Sequence, residues 1–264
     1  MLEALKKSLK RISALWHDRK RFWRFNIVTC LRSNDLAILA KIYGTDKYGE
    51  HFYTGHYSEH LCKLRKKRLK ILEIGVGGYQ NPDAGGESLR MWKRYFPKSD
   101  IYSIDIYDKR KFQEKRIKIF QGDQSDEAFL KGLCRHIGPL NIIIDDGSHI
   151  NSHVIASFKA LFPFLAEGGI YVVEDTQTAY WPKFGGNSED FNDPGTTMNF
   201  FKSLTDELNC QEFLIPDYTP SDFARQIVSI HFYHNLIFVH KGVNDEPSNM
   251  VEKGKLKSSH TDDC

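Results

Sequence analysis

Residues 141–149 read Asn-Ile-Ile-Ile-Asp-Asp-Gly-Ser-His, and this stretch decides the fold. A β-branched apolar run of this kind is typical of a buried strand in a parallel sheet, and the loop at the strand's carboxyl end follows it. Ligands of open α/β sheets bind at that edge. A second apolar run, residues 169–173, also ends in two acids. We therefore predict that four carboxylates meet at one rim: Asp145, Asp146, Glu174 and Asp175.

Clustered carboxylates repel one another unless a cation or a proton lies between them. We interpret this cluster as a site for a divalent metal ion, with His149 beside it as a base. Asp, Gly and Ser are also common turn formers, so a turn without metal is the alternative for residues 145–149. The second acidic pair, at the end of residues 169–173, favours the metal site.

Composition sets the limits of this interpretation. A chain of 264 residues is long enough for one sizeable α/β domain, and 41% hydrophobic with 27% charged residues is ordinary for a soluble globular protein. The net charge of +3 is too small to argue for a nucleic-acid partner. The five cysteines are scattered and form no CxxC pair, which favours a reducing compartment. With neither a membrane-span pattern nor a secretory signal, we expect a cytoplasmic protein.

The N-terminal segment, residues 1–40, is basic and aromatic. Its apolar residues fall at helical spacing, which predicts an amphipathic helix packed on the domain or on a partner subunit. We expect a homo-oligomer. The alternative is peripheral contact with an anionic membrane surface, since basic residues with Trp and Phe suit an interface.

Glycines and aromatic residues mark the next segments. Within residues 35–60, three glycines and several Tyr and His residues predict a loop with defined turns. Residues 71–78 then predict a buried strand that enters a glycine-rich turn. A dinucleotide-binding fingerprint would need glycine where Gln80 stands, and Glu73 does not belong to that fingerprint.

The remaining pattern alternates strands and helices. Residues 100–105 predict a second strand ending at Asp105, whose carboxylate suits the two hydroxyls of a ribose; a helix N-cap is the alternative role. Residues 117–121 predict a third strand. Helices are predicted at residues 88–96, 126–136, 151–165 and 199–209, with Gly168 and Gly169 ending the third of them.

The C-terminal half carries a long loop and a hairpin. Residues 176–198 are rich in Gly, Asn, Asp and aromatic residues, and loops of this length are usually lids or binding loops. Residues 225–233 and 236–241 predict an antiparallel hairpin. We expect a flexible polar tail over residues 243–264.

Six motifs together resemble the metal-dependent sugar O-methyltransferases of antibiotic biosynthesis, a class I S-adenosylmethionine-dependent family. They are YGTDKYGEHFYTGHY (43–57), LEIGVGG (72–78), YSIDIYDK (102–109), QGDQSD (121–126), IIIDDGSHIN (142–151) and VVEDT (172–176). The resemblance implies a Rossmann-like α/β fold: a mostly parallel seven-stranded sheet with a C-terminal antiparallel hairpin and a helical N-terminal extension. It implies a methyltransferase domain over residues 41–242.

The resemblance also implies residue roles. Mg²⁺, or another divalent cation, would be bound by Asp146, Glu174 and Asp175, with His149 as general base. The predicted S-adenosylmethionine site consists of Glu73, Gly75, Gly77, Ser88, Asp105, Asp123, Gln124 and Asp145. The segment 43–57 would close over the cofactor. Aromatic and polar residues suited to a sugar are assigned to the acceptor: Tyr53, His56, Tyr180 and Trp181.

The function implied is transfer of a methyl group to a hydroxyl of a sugar-containing small molecule or glycan. A catechol-type O-methyltransferase acting on a phenol keeps the same fold, and His149 and residues 43–57 favour a sugar over it. A nucleotide-binding oxidoreductase is disfavoured by Gln80. A non-catalytic binding module with this fold is disfavoured by the intact acidic pairs.

Overall fold

The computed structural model describes residues 27–257, which divide into two compact units. The first consists of residues 27–67 and 90–97, and the second of residues 68–89 and 98–257. The predicted N-terminal amphipathic helix lies outside the described residues over positions 1–26, as does the predicted tail over 258–264. Within the described part of the chain, no helix has the length and hydropathy needed to cross a bilayer.

The first unit includes the helices α1 (Leu36–Tyr43) and α2 (Thr54–Leu61). The Asp35 carboxylate caps α1 by accepting a hydrogen bond from Ile38 N at 3.0 Å, and Gly44 ends it in the left-handed region at φ 76°. The buried rings of Tyr57 and Trp92 pack edge to face in its core.

The prediction of a loop throughout residues 35–60 was therefore wrong, and only residues between the two helices form one. Gly44 acts as the C-cap of α1, and Gly55 lies in the first turn of α2, where a helix tolerates it. The glycines mark the end of one helix and the beginning of the next.

A seven-stranded sheet forms the centre of the second unit, with the order β3-β2-β1-β4-β5-β7-β6. Its strands are β1 (Lys70–Ile74), β2 (Asp100–Asp105), β3 (Ile117–Gln121), β4 (Leu140–Asp145), β5 (Leu165–Glu174), β6 (Ile227–Tyr233) and β7 (Leu236–Lys241). Strand β7 runs antiparallel to both β5 and β6, and the other neighbouring pairs are parallel. The predicted Rossmann-like fold with a C-terminal antiparallel hairpin is confirmed.

Strand β4 lies between β1 and β5, and its register aligns Asp145 with Ile74 on one side and Val173 on the other. Residues 142–144 are fully buried. A strand that is covered on both faces has a continuous run of apolar residues, and for this reason the sequence alone predicted β4. The alignment brings the carboxyl ends of β1, β4 and β5 to the same edge.

Helix α3 (Glu87–Tyr95) begins in the second unit and continues in the first. The helices that cover the sheet are α4 (Glu127–Ile137), α5 (Asn151–Leu161), α6 (Thr197–Leu208) and the short α7 (Asp222–Gln226). Phe158 of α5 is the centre of an aromatic cluster on one face of the sheet. Its ring contacts those of Tyr171 on β5 and Phe201 on α6. This packing holds α5, and therefore the residues that precede it, against β5.

Two boundaries differ from the sequence prediction. Helix α5 ends at Leu161, a 3-10 turn with Pro163 follows, and β5 already begins at Leu165, so Gly168 and Gly169 lie within a strand. Proline has no N–H for the helical ladder and fixes φ, which ends the helix there. Part of the predicted flexible tail also forms a small hairpin of β8 (Val251–Glu252) and β9 (Lys255–Leu256).

Candidate functional site

The predicted acidic residues lie at the ends of two adjacent strands. Asp145 is the last residue of β4, and Asp146 follows it. Glu174 is the last residue of β5, and Asp175 follows it. Because β4 and β5 are parallel and in register, the two acidic pairs reach the same edge of the sheet, as the sequence predicted.

Side-chain atoms from these residues form two overlapping groups. One oxygen each of Glu73, Asp146 and Glu174 lie within 4.8 Å of one another, and so do ligand atoms of Asp146, His149 and Asp175. Asp146 belongs to both groups. Glu73 is fully buried and Glu174 only 3% exposed, so part of the cluster lies away from bulk water.

The donor set fits a hard divalent cation. Mg²⁺ binds oxygen ligands and usually keeps several waters, so the carboxylates of Asp146, Glu174 and Asp175 are suitable ligands and an imidazole nitrogen is not a preferred one. Glu73 joins this group although we predicted a cofactor role for it. The position of Glu73 beside the acidic residues could have been predicted, because β1 and β4 are usually neighbours in this fold.

His149 and Asp175 share an unusual backbone conformation. Their φ values are 56° and 54°, in the left-handed region that non-glycine residues rarely adopt. His149 Nε2 lies 3.7 Å from Asp175 Oδ2, and both side chains are about one-fifth exposed. Strained backbone of this kind concentrates at functional sites, where it fixes the direction of a side chain.

Asp145 points into the protein. Its side chain is 1% exposed, and it accepts hydrogen bonds from Gln124 Nε2 at 3.1 Å and from the Tyr171 hydroxyl at 3.3 Å. Burial raises the pKa of Asp145 to about 7, against the opposing influence of His149 and of these two hydrogen bonds. The Asp145 side chain therefore lies in the interior, beneath the other acidic residues. The predicted contact of Asp145 with the cofactor stays a prediction.

Gln124 braces the turn that carries His149. Besides Asp145, its Nε2 donates to Ser157 Oγ at 3.0 Å, and its Oε1 accepts from Ser148 N at 2.6 Å. A Cβ on Gly147 would lie 2.1 Å from Gln124 Oε1, so only glycine permits this approach. The side chain is directed inward, and its predicted role in cofactor binding stays a prediction.

We predict that Gln124→Leu lowers the thermal stability of the protein. The substitution leaves Ser148 N without its partner and removes a donor to buried Asp145, and each unsatisfied buried group costs about 1–3 kcal/mol. Thermal unfolding should shift down by several degrees, since roughly 2–4 °C corresponds to 1 kcal/mol in domains of this size. Gln121→Leu is the matched control, because Gln121 is exposed and donates to Ile106 O. Equal melting temperatures for the two variants would contradict the bracing role.

The glycine-rich turn after β1 lies directly against the residue that follows β4. Gly75 has φ 96°, and a Cβ there would be 2.2 Å from Asp146 O. Glu73 accepts a hydrogen bond from Ser88 Oγ at 2.9 Å, and Gly77 also has positive φ. These predicted cofactor residues thus lie at the same end of the sheet as the acidic cluster.

The two other predicted cofactor carboxylates form local turns. Asp105 accepts hydrogen bonds from Val76 N at 3.0 Å and Tyr107 N at 2.9 Å, which attaches the end of β2 to the glycine-rich turn. Asp123 accepts from Ser125 N and Oγ, and these bonds lower the pKa of Asp123. Asp105 caps no helix here, since the next helical residues are 110–112.

The predicted acceptor residues fall in both units. In the second unit, Tyr180 lines an open cleft of about 420 Å³ with Ser188 and Phe191, and neighbouring Trp181 is 48% exposed. In the first unit, Tyr53 is buried and stacks on His51 with ring centroids 4.8 Å apart, and His56 lies in α2. Their roles in acceptor binding stay predictions.

No protein-family model matches the chain. Curated relatives include the mycinamicin VI 2''-O-methyltransferase of Micromonospora griseorubida, with 49% identity over 81% of this chain and 54% of the relative. The demethylmacrocin O-methyltransferase of Streptomyces fradiae is 48% identical over 80% of this chain and 54% of the relative. A tetracenomycin-C rhamnoside 2'-O-methyltransferase of Streptomyces olivaceus is 48% identical, over 79% of this chain and 55% of the relative.

A solved structure agrees with the sequence relatives. The MycE methyltransferase of the mycinamycin biosynthetic pathway, in complex with Mg and SAH, superposes with a TM-score of 0.79 at 49% identity. The match covers 81% of this chain and 56% of that one. This chain therefore spans about half the length of the curated relatives it matches.

Proposed function

Since its matched part is homologous to the macrolide and deoxysugar O-methyltransferases, we propose that this protein transfers a methyl group from S-adenosylmethionine to a sugar hydroxyl in a Mg²⁺-dependent reaction. One observation carries the proposal. The carboxylates of Asp146 and Glu174 and the His149–Asp175 pair lie together at the carboxyl ends of β4 and β5. The names of the relatives, which methylate mycinamicin VI, demethylmacrocin and a rhamnosyl tetracenomycin-C, support a sugar-bearing small molecule as the acceptor class.

The residues that would bind Mg²⁺ and S-adenosylmethionine lie at the carboxyl ends of the central strands. Asp146, Glu174 and Asp175 would bind Mg²⁺, and Glu73, Gly75 and Asp105, at the same end of the sheet, would contact the cofactor. Mg²⁺, when bound, would stabilise negative charge on the acceptor oxygen. S-adenosylmethionine supplies a methyl group on a positively charged sulfur that leaves as a neutral thioether.

In this proposal, His149 acts as the general base. Its Nε2 faces the acidic cluster and is the nitrogen placed to accept the hydroxyl proton. The acceptor O–H bond breaks, its proton moves to His149, and the oxygen electron pair forms the new C–O bond. The imidazolium that results lies 3.7 Å from the Asp175 carboxylate, which stabilises its positive charge.

A methyl-transfer assay tests this function. We predict that the purified protein, with S-adenosylmethionine and Mg²⁺, adds one methyl group to at least one of mycinamicin VI, demethylmacrocin and 8-demethyl-8-α-L-rhamnosyl tetracenomycin-C, as detected by mass spectrometry. Catechol is the control acceptor and should stay unmodified. Methylation of catechol with no reaction on any glycoside would overturn the proposed acceptor class.

Location and assembly belong to the same proposal. We expect a homo-oligomer in the cytoplasm, where the scattered cysteines without a CxxC pair would stay reduced. Size-exclusion chromatography with light scattering tests the assembly, and flotation with anionic vesicles tests the alternative of membrane contact through the N-terminal segment.

A further inference from the structure

The side chain of Asn151, two residues after His149, connects the base to the segment that carries the predicted acceptor residues. It is fully buried at the beginning of α5. Its Nδ2 donates to Thr178 O at 3.1 Å and to Phe184 O at 2.9 Å, and its Oδ1 accepts from Thr197 N at 2.6 Å. All three partners belong to residues 178–197, which we call the acceptor segment.

An amide is the side chain that suits these three partners. Two carbonyl oxygens require two N–H donors, and the Thr197 N–H requires an acceptor. Thr197 is the first residue of α6, so Asn151 also satisfies one of the N–H groups that a helix N-terminus leaves without an intrahelical partner. An aspartate would place its charge against two carbonyl oxygens. A leucine would remove the side-chain partner of Phe184 O and of Thr197 N, and would leave Thr178 O with the Trp181 N–H alone.

Among the described residues, the hydrogen bonds that join the acceptor segment to α5 are those of Asn151. Among residues 27–257, the buried side-chain oxygens without a hydrogen-bond partner are Thr176 Oγ1, Gln177 Oε1 and Thr197 Oγ1. Buried polar atoms are normally paired, so this region is under-bonded. The hydrogen bonds of Asn151 therefore carry a large share of the attachment between the acceptor segment and α5.

The middle of the segment is held by its own contacts. Ser188 Oγ donates to Tyr180 O at 2.5 Å, and Asn187 N donates to Ala179 O at 2.9 Å. Tyr180, Ser188 and Phe191 line the open cleft described above. The segment is also attached to α6, since Lys202 Nζ donates to Phe191 O at 2.7 Å, while Asn151 provides its hydrogen bonds to the helix that follows His149.

We infer that Asn151 is a positioning residue for the acceptor: its amide holds the Tyr180–Phe191 cleft at a set place relative to the base, and so determines acceptor binding without contributing to cofactor binding. The inference rests on the proposed function for its kinetic part. Its structural part, the attachment of the acceptor segment by Asn151, can be tested without turnover.

The first experiment measures hydrogen–deuterium exchange in Asn151→Leu and Asn151→Asp. We expect faster exchange across residues 178–197, with unchanged exchange in β1, β4 and β5, and unchanged affinity for S-adenosylhomocysteine by calorimetry. Asn209→Leu is the matched control, because Asn209 Nδ2 also donates to a backbone carbonyl, that of Thr205 at 2.8 Å, on an exposed surface. Unchanged exchange in the acceptor segment would overturn the inference, whatever the protein methylates.

The second experiment separates acceptor from cofactor kinetics, with mycinamicin VI as the acceptor. Loss of these three hydrogen bonds should raise the acceptor KM by roughly tenfold or more in Asn151→Leu, with the S-adenosylmethionine KM unchanged. A purely structural role would instead lower kcat in proportion to the folded fraction and leave both KM values alone, which would overturn the positioning role. Should the wild type methylate no glycoside, the proposed function fails, and the exchange experiment decides the inference alone.

Discussion

His149→Ala is expected to lower kcat by roughly 10²–10⁴-fold while S-adenosylhomocysteine still binds, because the loss of a positioned general base typically costs that much. The acceptor hydroxyl would keep its proton, because His149 is the imidazole that lies beside Asp175. His153 is engaged elsewhere, with its Nδ1 3.1 Å from Ser148 Oγ. Steady-state kinetics and calorimetry measure the two quantities separately.

The control for this variant is His136→Ala. His136 is exposed near the end of α4 and contacts only the edge of Phe120 among the rings described, so its removal should leave kcat unchanged. Equal turnover of His149→Ala and the wild type would remove His149 from the mechanism. Weak cofactor binding in His149→Ala would show instead that the residue shapes the site.

Removal of divalent metal is the second large expected effect. Chelator-treated protein should lose at least about 10²-fold in rate and recover on addition of Mg²⁺, because a bound cation contributes several kcal/mol to transition-state stabilisation and each 1.4 kcal/mol is a factor of ten. Full activity after complete chelation would contradict the metal site at Asp146, Glu174 and Asp175.

A stability measurement tests the same site without an acceptor. Mg²⁺ at one hundred times its Kd should stabilise the wild type by about 2.7 kcal/mol, and this increment should disappear in Glu174→Gln. Glu167→Gln is the matched control, since Glu167 lies on the same strand but is exposed and distant from the strand edge. An equal increment in Glu174→Gln and Glu167→Gln would place the cation elsewhere.

Local sequence was sufficient wherever a residue's environment follows from its neighbours along the chain. The apolar run 142–144 predicted β4, and the residues directly after β4 and β5 predicted an acidic edge, because strand direction places both ends together once the strands are parallel. The fold class and the resemblance to sugar O-methyltransferases followed from these motifs and are confirmed. Glycine was less informative: whether Gly44 ends a helix or belongs to a loop depends on what the helix packs against.

Tertiary structure decided which residues support that edge. Glu73 joins the acidic group because β1 lies next to β4, and Gln124 braces the His149 turn across 24 residues of sequence. Asn151 finds its partners 27 to 46 residues further along the chain. The residues at the strand ends could be predicted from the sequence, because the position of a strand depends on local periodicity. The partners of Gln124 and Asn151 depend on which distant backbone groups the packed fold brings within hydrogen-bonding distance, and no local pattern encodes that.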